Sequence, residues 1–155
     1  MTKLWLGLLS GAMLCAQRPP VQVAGGAGYG TFLDESAENH FSVGGSARFY
    51  FTRRNAFEPE VLFLYRDASD KDLVVQANYV RDLGQANGRV VPYVIAGFGL
   101  LREIRPRFST SSATTSAGAG ARVFVTRNVF LSPEIRLGTE PVLRFQVSAG
   151  WDARR

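Results

Sequence analysis

The chain has 155 residues, enough for one domain, with 18 basic and 13 acidic residues and a net charge of +5. The basic residues are scattered and form no Lys/Arg run, which excludes a nucleic-acid tract. A single cysteine and a single histidine exclude a disulfide framework and a Cys/His metal cluster, and no cofactor motif is present.

In chain order, Lys3 and the apolar run 4–16 read as a secretory signal, residues 1–16, cut near Ala16 and Gln17. The run is too short to cross a bilayer as a helix. Cys15 opens a lipoprotein reading, but Leu14 stands where a small residue is wanted. The mature chain, 17–155, is then one cysteine-free domain. Eight strand-like segments follow, near 21–33, 40–52, 56–66, 73–83, 90–102, 116–126, 129–137 and 142–152. Between them lie turn residues such as Arg54-Asn55, Gly84-Gln-Ala-Asn-Gly88 and Arg127-Asn128. The longest break, 103–115, is basic and then rich in Ser and Thr, and reads as a loop. No segment has helical spacing, and after the signal no apolar stretch is long enough for a transmembrane helix.

One pattern repeats. Arg48-Phe-Tyr-Phe-Thr-Arg-Arg-Asn-Ala-Phe-Glu-Pro-Glu60 aligns without a gap on Arg122-Val-Phe-Val-Thr-Arg-Asn-Val-Phe-Leu-Ser-Pro-Glu134, 74 positions later. Each copy reads as strand, turn, strand. Among the eight segments, the second, fourth, sixth and eighth alternate apolar with polar residues at period two. Phe41, Val43, Ala47, Phe49 and Phe51 share one face, and Ser42, Ser46, Arg48, Tyr50 and Thr52 the other. Alternation alone leaves open which face is inside. A soluble barrel turns its apolar face inward, and a membrane barrel turns it out to lipid. Three features favour the membrane: glycines on the polar face (Gly26, Gly28, Gly30, Gly44, Gly118, Gly120, Gly150), aromatics near strand ends (Phe41, Phe51, Phe57, Tyr65, Tyr79, Trp151), and export without cysteine. The expected fold is all-β: a closed, eight-stranded, antiparallel, up-and-down transmembrane barrel after a cleaved signal peptide.

With Pro59-Glu60 and Pro133-Glu134 at strand starts, Pro92-Tyr93 leading to Gly97-Phe-Gly99, and the alternating last strand, the mature chain resembles the small eight-stranded outer-membrane barrels of Gram-negative bacteria, the OmpA-like β-barrel domain family. The resemblance implies a monomer in the outer membrane with both termini in the periplasm. It also implies membrane lipid, lipopolysaccharide and the outer-membrane insertion machinery as partners. Such barrels end in an aromatic residue; here Trp151 is followed by Asp152-Ala-Arg-Arg155.

Arg48, Glu58, Glu60, Arg122, Glu134, Arg136 and Arg144 fall on polar faces and form a candidate lumen charge network. A three-residue turn centred on Arg54 sets Arg48 opposite Glu60, and one centred on Asn128 sets Arg122 opposite Glu134. The network reads either as structural filling or as a gate in a narrow path; eight strands leave an interior just wide enough for side chains. Pro59 and Pro133 call for a bulge or a place at the rim, since a closed barrel has no edge strand. Arg102, Arg105 and Arg107 form a basic loop suited to lipopolysaccharide phosphates or another surface. Three functions follow: a non-catalytic outer-membrane barrel with a structural or surface-interaction role; a lipid A-modifying barrel enzyme using His40 with Ser42, or with Asp67 and Ser69; and a soluble secreted barrel that binds a small apolar ligand.

Overall fold

The computed structural model describes residues 21–31, 39–67, 70–105, 108–139 and 141–155. The expected signal 1–16 with Cys15, and also Ser69 and Arg107, lie outside the described residues, as do the side chains of Asp67 and Arg105.

Eight strands run β1 (Val21–Thr31), β2 (Asn39–Tyr50), β3 (Asn55–Asp67), β4 (Asp70–Asp82), β5 (Val90–Arg105), β6 (Phe108–Phe124), β7 (Val129–Gly138) and β8 (Leu143–Asp152). Each pairs antiparallel with the next, and β1 pairs with β8, so the sheet closes into an up-and-down barrel in which every strand has two neighbours. Closure matters because an open edge would leave backbone N–H and C=O groups unsatisfied in lipid. One end of the barrel carries the three turns 51–54, 83–89 and 125–128 and the C-terminal tail; it is called the turn end below, and the opposite end the loop end.

Residues 103–105 and 108–115 are strand, not loop. They continue β5 and β6 as a paired ladder, with Arg102 opposite Ser111, Glu103 opposite Thr110 and Arg105 opposite Phe108. The physical reason is local. Thr is β-branched and favours extended backbone, and the apolar run Leu100, Leu101, Ile104 supplies a partner ladder.

Neither proline makes a bulge. Across the β2–β3 seam the register is the same on both sides of Pro59, Ser46 facing Glu60 and Phe49 facing Phe57, with the intervening pairs missing from the ladder. The β6–β7 seam behaves identically at Pro133, between Gly120–Glu134 and Val123–Leu131. A missing N–H is therefore absorbed as a short gap in the ladder. The irregularity in register falls elsewhere, between Tyr65 and Asp67 of β3.

The apolar row points outward on every strand. Phe98, Tyr29, Leu137, Leu100, Ile135 and Phe145 are each more than half exposed, Phe98 at 69%. A soluble protein does not display such a belt. On β4 the outward row runs Lys71, Leu73, Val75, Ala77, Tyr79, Arg81, so a charge marks each border. Ten residues of strand at about 3.3 Å each, tilted by roughly 35–45°, span about 25 Å, the height of an outer-membrane apolar band. The aromatics form two girdles. Tyr29 packs edge-on against Phe41 at the loop end (5.6 Å between rings), and Phe51 lies beside Tyr79 at the turn end (6.3 Å), with Tyr79 donating a hydrogen bond to Asn55.

The inward row is less polar than the sequence suggests. Three apolar clusters share the lumen with the charges: Leu62, Leu64, Val74 and Leu101; Tyr50, Ala56, Val80, Tyr93 and Ile95; and Val91, Phe124 and Phe130. Leu62 and Leu64 occupy inward positions on the same strand as Glu58 and Glu60.

Candidate functional site

All seven residues of the expected charge network are buried in the lumen: Arg48, Glu58, Glu60, Arg122, Glu134, Arg136 and Arg144. Their pairing differs from the sequence expectation. The two repeated turns are centred one residue earlier, on Arg53 and Arg127. Phe51 N–H bonds to Asn55 C=O (3.1 Å) and Val125 N–H to Val129 C=O (2.9 Å), which leaves 52–54 and 126–128 as the turns. Thr52 and Thr126 leave the strands because their hydroxyls accept turn N–H groups, from Asn55 (2.9 Å) and Val129 (3.1 Å). One step in the turn centre moves each strand partner by two residues and keeps the inward parity.

Arg48 therefore meets Glu58, its Nε donating at 2.5 Å, and not Glu60. Arg122 does not meet Glu134; it reaches Asp82 of β4 at 2.5 Å. Glu60 instead receives Arg136 (2.9 Å) and Arg144 (2.9 Å) from the opposite wall. Arg136 also donates to Glu134 (2.5 Å) and to Asn78 (3.2 Å). The two copies of the repeat thus lie across the lumen from each other, and Arg136, two residues past the second copy, joins Glu60 of the first to Glu134 of the second. Arg guanidinium is suited to this role because its planar fork can satisfy several acceptors at once.

The network has two tiers. The middle tier holds Arg48, Arg136 and Arg144 against Glu58, Glu60 and Glu134, with Tyr93 donating to Glu134 (2.7 Å) and its ring lying 4.5 Å beneath the Arg48 guanidinium carbon. The tier at the turn end holds Arg122 and Asp82, with Arg122 also donating to Gln22 (2.6 Å) and Tyr50 (2.6 Å). Below it, Gln22 donates to Asp152 (2.5 Å), which pairs with Arg154 (3.0 Å). Positive and negative partners balance within each tier, as low-dielectric burial requires. Asp82, Asp152, Tyr93 and Gln22 were not singled out by sequence reasoning. The signal was available for Asp82 and Asp152, since each ends a strand on its inward parity.

Glycine makes room for these side chains. A Cβ on Gly118 would lie 2.8 Å from Arg136 Cγ, and one on Gly120 would lie 2.6 Å from Tyr93 Oη. The tail after Trp151 also serves the lumen. Asp152 turns inward, Arg154 stacks on the Tyr50 ring (3.4 Å), and Arg155 stacks on Phe124 (3.4 Å) while donating to the Gly88 carbonyl (2.8 Å). The tail thereby covers the turn end of the lumen and leaves Trp151 as the last outward residue.

Open clefts of about 390 and 660 Å³ lie outside the lumen at the turn end, around Arg53, Asn87, Arg127, Arg154 and Arg155, but the space that remains inside the lumen is small. A void of about 20 Å³ sits among Arg48, Glu58, Tyr93, Glu134, Arg136 and Gln146, and another of about 10 Å³ beside Gln76, Ser116, Arg136, Pro141 and Arg144. The first has room for one water and neither for a drug-sized apolar ligand. This removes the basis for a soluble ligand-binding barrel, as does the outward apolar row.

His40 and Ser42 point into the lumen at the loop end, where His40 Nε2 stands 4.0 Å from Asp72 and Ser42 is fully buried. Arg54 lies in an exposed turn at the other end of the barrel. Arg102 is exposed on the outward row of β5, opposite Leu73; it belongs to a strand, not to a loop. No group of His, Cys, Asp and Glu among the described residues could hold a metal.

No protein-family model and no curated protein matches the sequence. Solved structures do. The barrel superimposes on Neisserial surface protein A with a TM-score of 0.70 at 18% identity, covering 88% of this chain and 97% of that one. The N-terminal β-barrel domain of Pseudomonas aeruginosa OprF gives 0.67 at 15% identity, covering 87% and 98%. Ail, the attachment invasion locus protein of Yersinia pestis, gives 0.52 at 14%, covering 86% and 97%. With an eight-stranded closed barrel that superimposes on these structures over most of its length, the chain has the fold of the small, eight-stranded, OmpA-like outer-membrane barrels.

Proposed function

We propose that the protein is an integral outer-membrane barrel with a structural or surface-interaction role and no catalytic activity. The observation that carries this reading is the continuous outward apolar belt, bounded by aromatic girdles and charges, around a lumen closed by paired side chains. In this orientation the turn end, with the C-terminus, faces the periplasm and the loop end faces outward. The extended β5–β6 hairpin then rises beyond the belt as the surface element. Arg102 and Lys71, both exposed at the loop-end border, are placed to meet lipopolysaccharide phosphates, and Arg105 and Arg107 follow Arg102 in the sequence. Ail has been solved with the heparin analogue sucrose octasulfate, which supports a polyanion as the kind of partner such a surface takes. Trp151, exposed as the last outward residue of β8, supplies the terminal aromatic for the insertion machinery.

A lipid A-modifying enzyme is disfavoured by geometry. Its substrate would meet the outer wall, whereas His40 and Ser42 are buried inside. The test uses topology. Thr110→Cys, in the hairpin, should react with a membrane-impermeant maleimide added to intact cells, and Arg127→Cys should react only after the outer membrane is permeabilised. The reverse labelling would overturn the orientation, and absence of the protein from a heat-modifiable outer-membrane fraction would overturn the membrane reading itself.

A further inference from the structure

The repeated turn has a feature the scaffold does not use. In both copies the threonine hydroxyl closes the turn and leaves the next residue, Arg53 or Arg127, exposed. The third turn has no threonine but is also flanked by exposed arginines. Arg81 and Arg89 are exposed on its two flanks, and Arg54 adds to the first. Four of these arginines stand within two residues of an outward apolar residue: Phe51 by Arg53, Val125 by Arg127, Val90 by Arg89, Tyr79 by Arg81. Arg81 is two residues beyond Tyr79 on β4, which places it about 5 Å deeper toward the turn end once the strand tilt is included. That is headgroup depth, directly beneath the aromatic girdle.

No exposed acidic side chain among the described residues at the turn end offsets this charge. Among the described residues at the turn end the carboxylates are Asp82 and Asp152, both buried and held by Arg122 and Arg154. Five arginines thus ring the border of the belt, with both partner acids withdrawn into the lumen. Guanidinium matches phosphate in a two-pronged hydrogen bond, and cations near an anionic leaflet gain from its surface potential.

We propose that this arginine ring is a binding surface for anionic phospholipid headgroups of the leaflet that the turn end enters, preferring them over zwitterionic ones. The proposal rests on the membrane reading above. Continuity with the apolar belt favours lipid over a soluble anionic polymer: Arg81 continues the outward row of Tyr79 and Arg89 adjoins Val90, while Arg53 and Arg127 border open clefts that they share with Arg154 and Arg155.

Trp151 stands in that same turn-end row and reports on its own neighbourhood. The full chain carrying Trp5→Phe, so that Trp151 is the sole tryptophan, is refolded into phosphatidylcholine vesicles containing increasing fractions of brominated phosphatidylglycerol or brominated phosphatidylcholine. Trp151 fluorescence should be quenched with about a fivefold higher relative association constant for the anionic lipid, the factor that one near-surface arginine supplies. The preference should shrink as salt is raised. It should vanish in an Arg53→Gln, Arg54→Gln, Arg127→Gln triple variant and persist in Arg102→Gln at the other border. Heat-modifiable gel mobility of the same samples reads insertion separately. Insertion with equal quenching by the two lipids, a preference that survives the triple variant, or binding of soluble heparin by this face with no lipid preference would each overturn the headgroup site and leave the barrel reading standing. Failure to insert would overturn both.

Discussion

Arg122 is the most instructive single residue. It is 1% exposed and its partner Asp82 is equally buried. Removing one member of such a pair leaves an uncompensated charge in low dielectric and costs about 3–5 kcal/mol. Arg122→Met alone should therefore be strongly destabilising in urea unfolding from bilayers. Arg122→Met with Asp82→Leu should recover most of the loss, because the pair is then replaced by apolar volume. Arg122→Met with Glu134→Leu should recover none. Recovery in the second double variant instead of the first would restore the direct pairing that residue counting suggests. Glycines divide in the same way by what they face. Gly120→Ala drives a methyl into Tyr93 and should cost about 1–3 kcal/mol. Gly25→Ala, outward with its nearest neighbour at 3.7 Å, should be neutral or slightly stabilising.

At the scale of the strand, depth in the belt decides what a substitution costs. Val75 lies midway between Lys71 and Tyr79 on the outward row of β4, whereas Val123 is the last outward residue of β6 before its turn. Val75→Arg should destabilise the barrel by about 2–4 kcal/mol and Val123→Arg by about 0–1, since the cost of a lipid-facing arginine falls toward the interface. Equal penalties measured by chemical unfolding would contradict the placement of the belt. The β5–β6 extension makes a second claim. Amides of Leu101 to Ile104 and Thr110 to Thr114 sit in a paired hairpin, so hydrogen exchange should protect a substantial share of them, where a loop would exchange them all within seconds. Strand number and strand order were legible because period-two alternation persists in several segments and turn residues separate all of them. The hairpin extension was not, because Ser and Thr serve turns and strands alike, and only the facing apolar run on β5 decides between the two.

For the whole molecule, the barrel behaves as a cylinder solvated by lipid outside and filled by its own side chains inside. Among the described residues, the two tiers of paired charges, the three apolar clusters and the C-terminal tail leave voids of about 20 and 10 Å³ inside the lumen, too small for a hydrated ion to pass. Purified protein in planar bilayers should show no resolved unitary conductance, and steady single-channel steps would overturn the closed lumen. The tail explains how a chain can continue past its terminal aromatic without hiding it: Arg154 and Arg155 fold beneath the lumen, and Trp151 stays at the lipid surface.

The sequence by itself determined the fold class, the eight strands, the inward and outward rows and an inward place for seven of the lumen charges, because side-chain parity in a strand is local and survives errors in turn position. Only the tertiary structure decided the partners. Which acid each arginine meets depends on the centre of two threonine-closed turns and on strands brought across the lumen from half a chain away. A one-residue change in turn centre leaves every side chain on its face and changes every pair, so the same local pattern was compatible with charges paired within each hairpin or, as found for Glu60 and Arg136, between them.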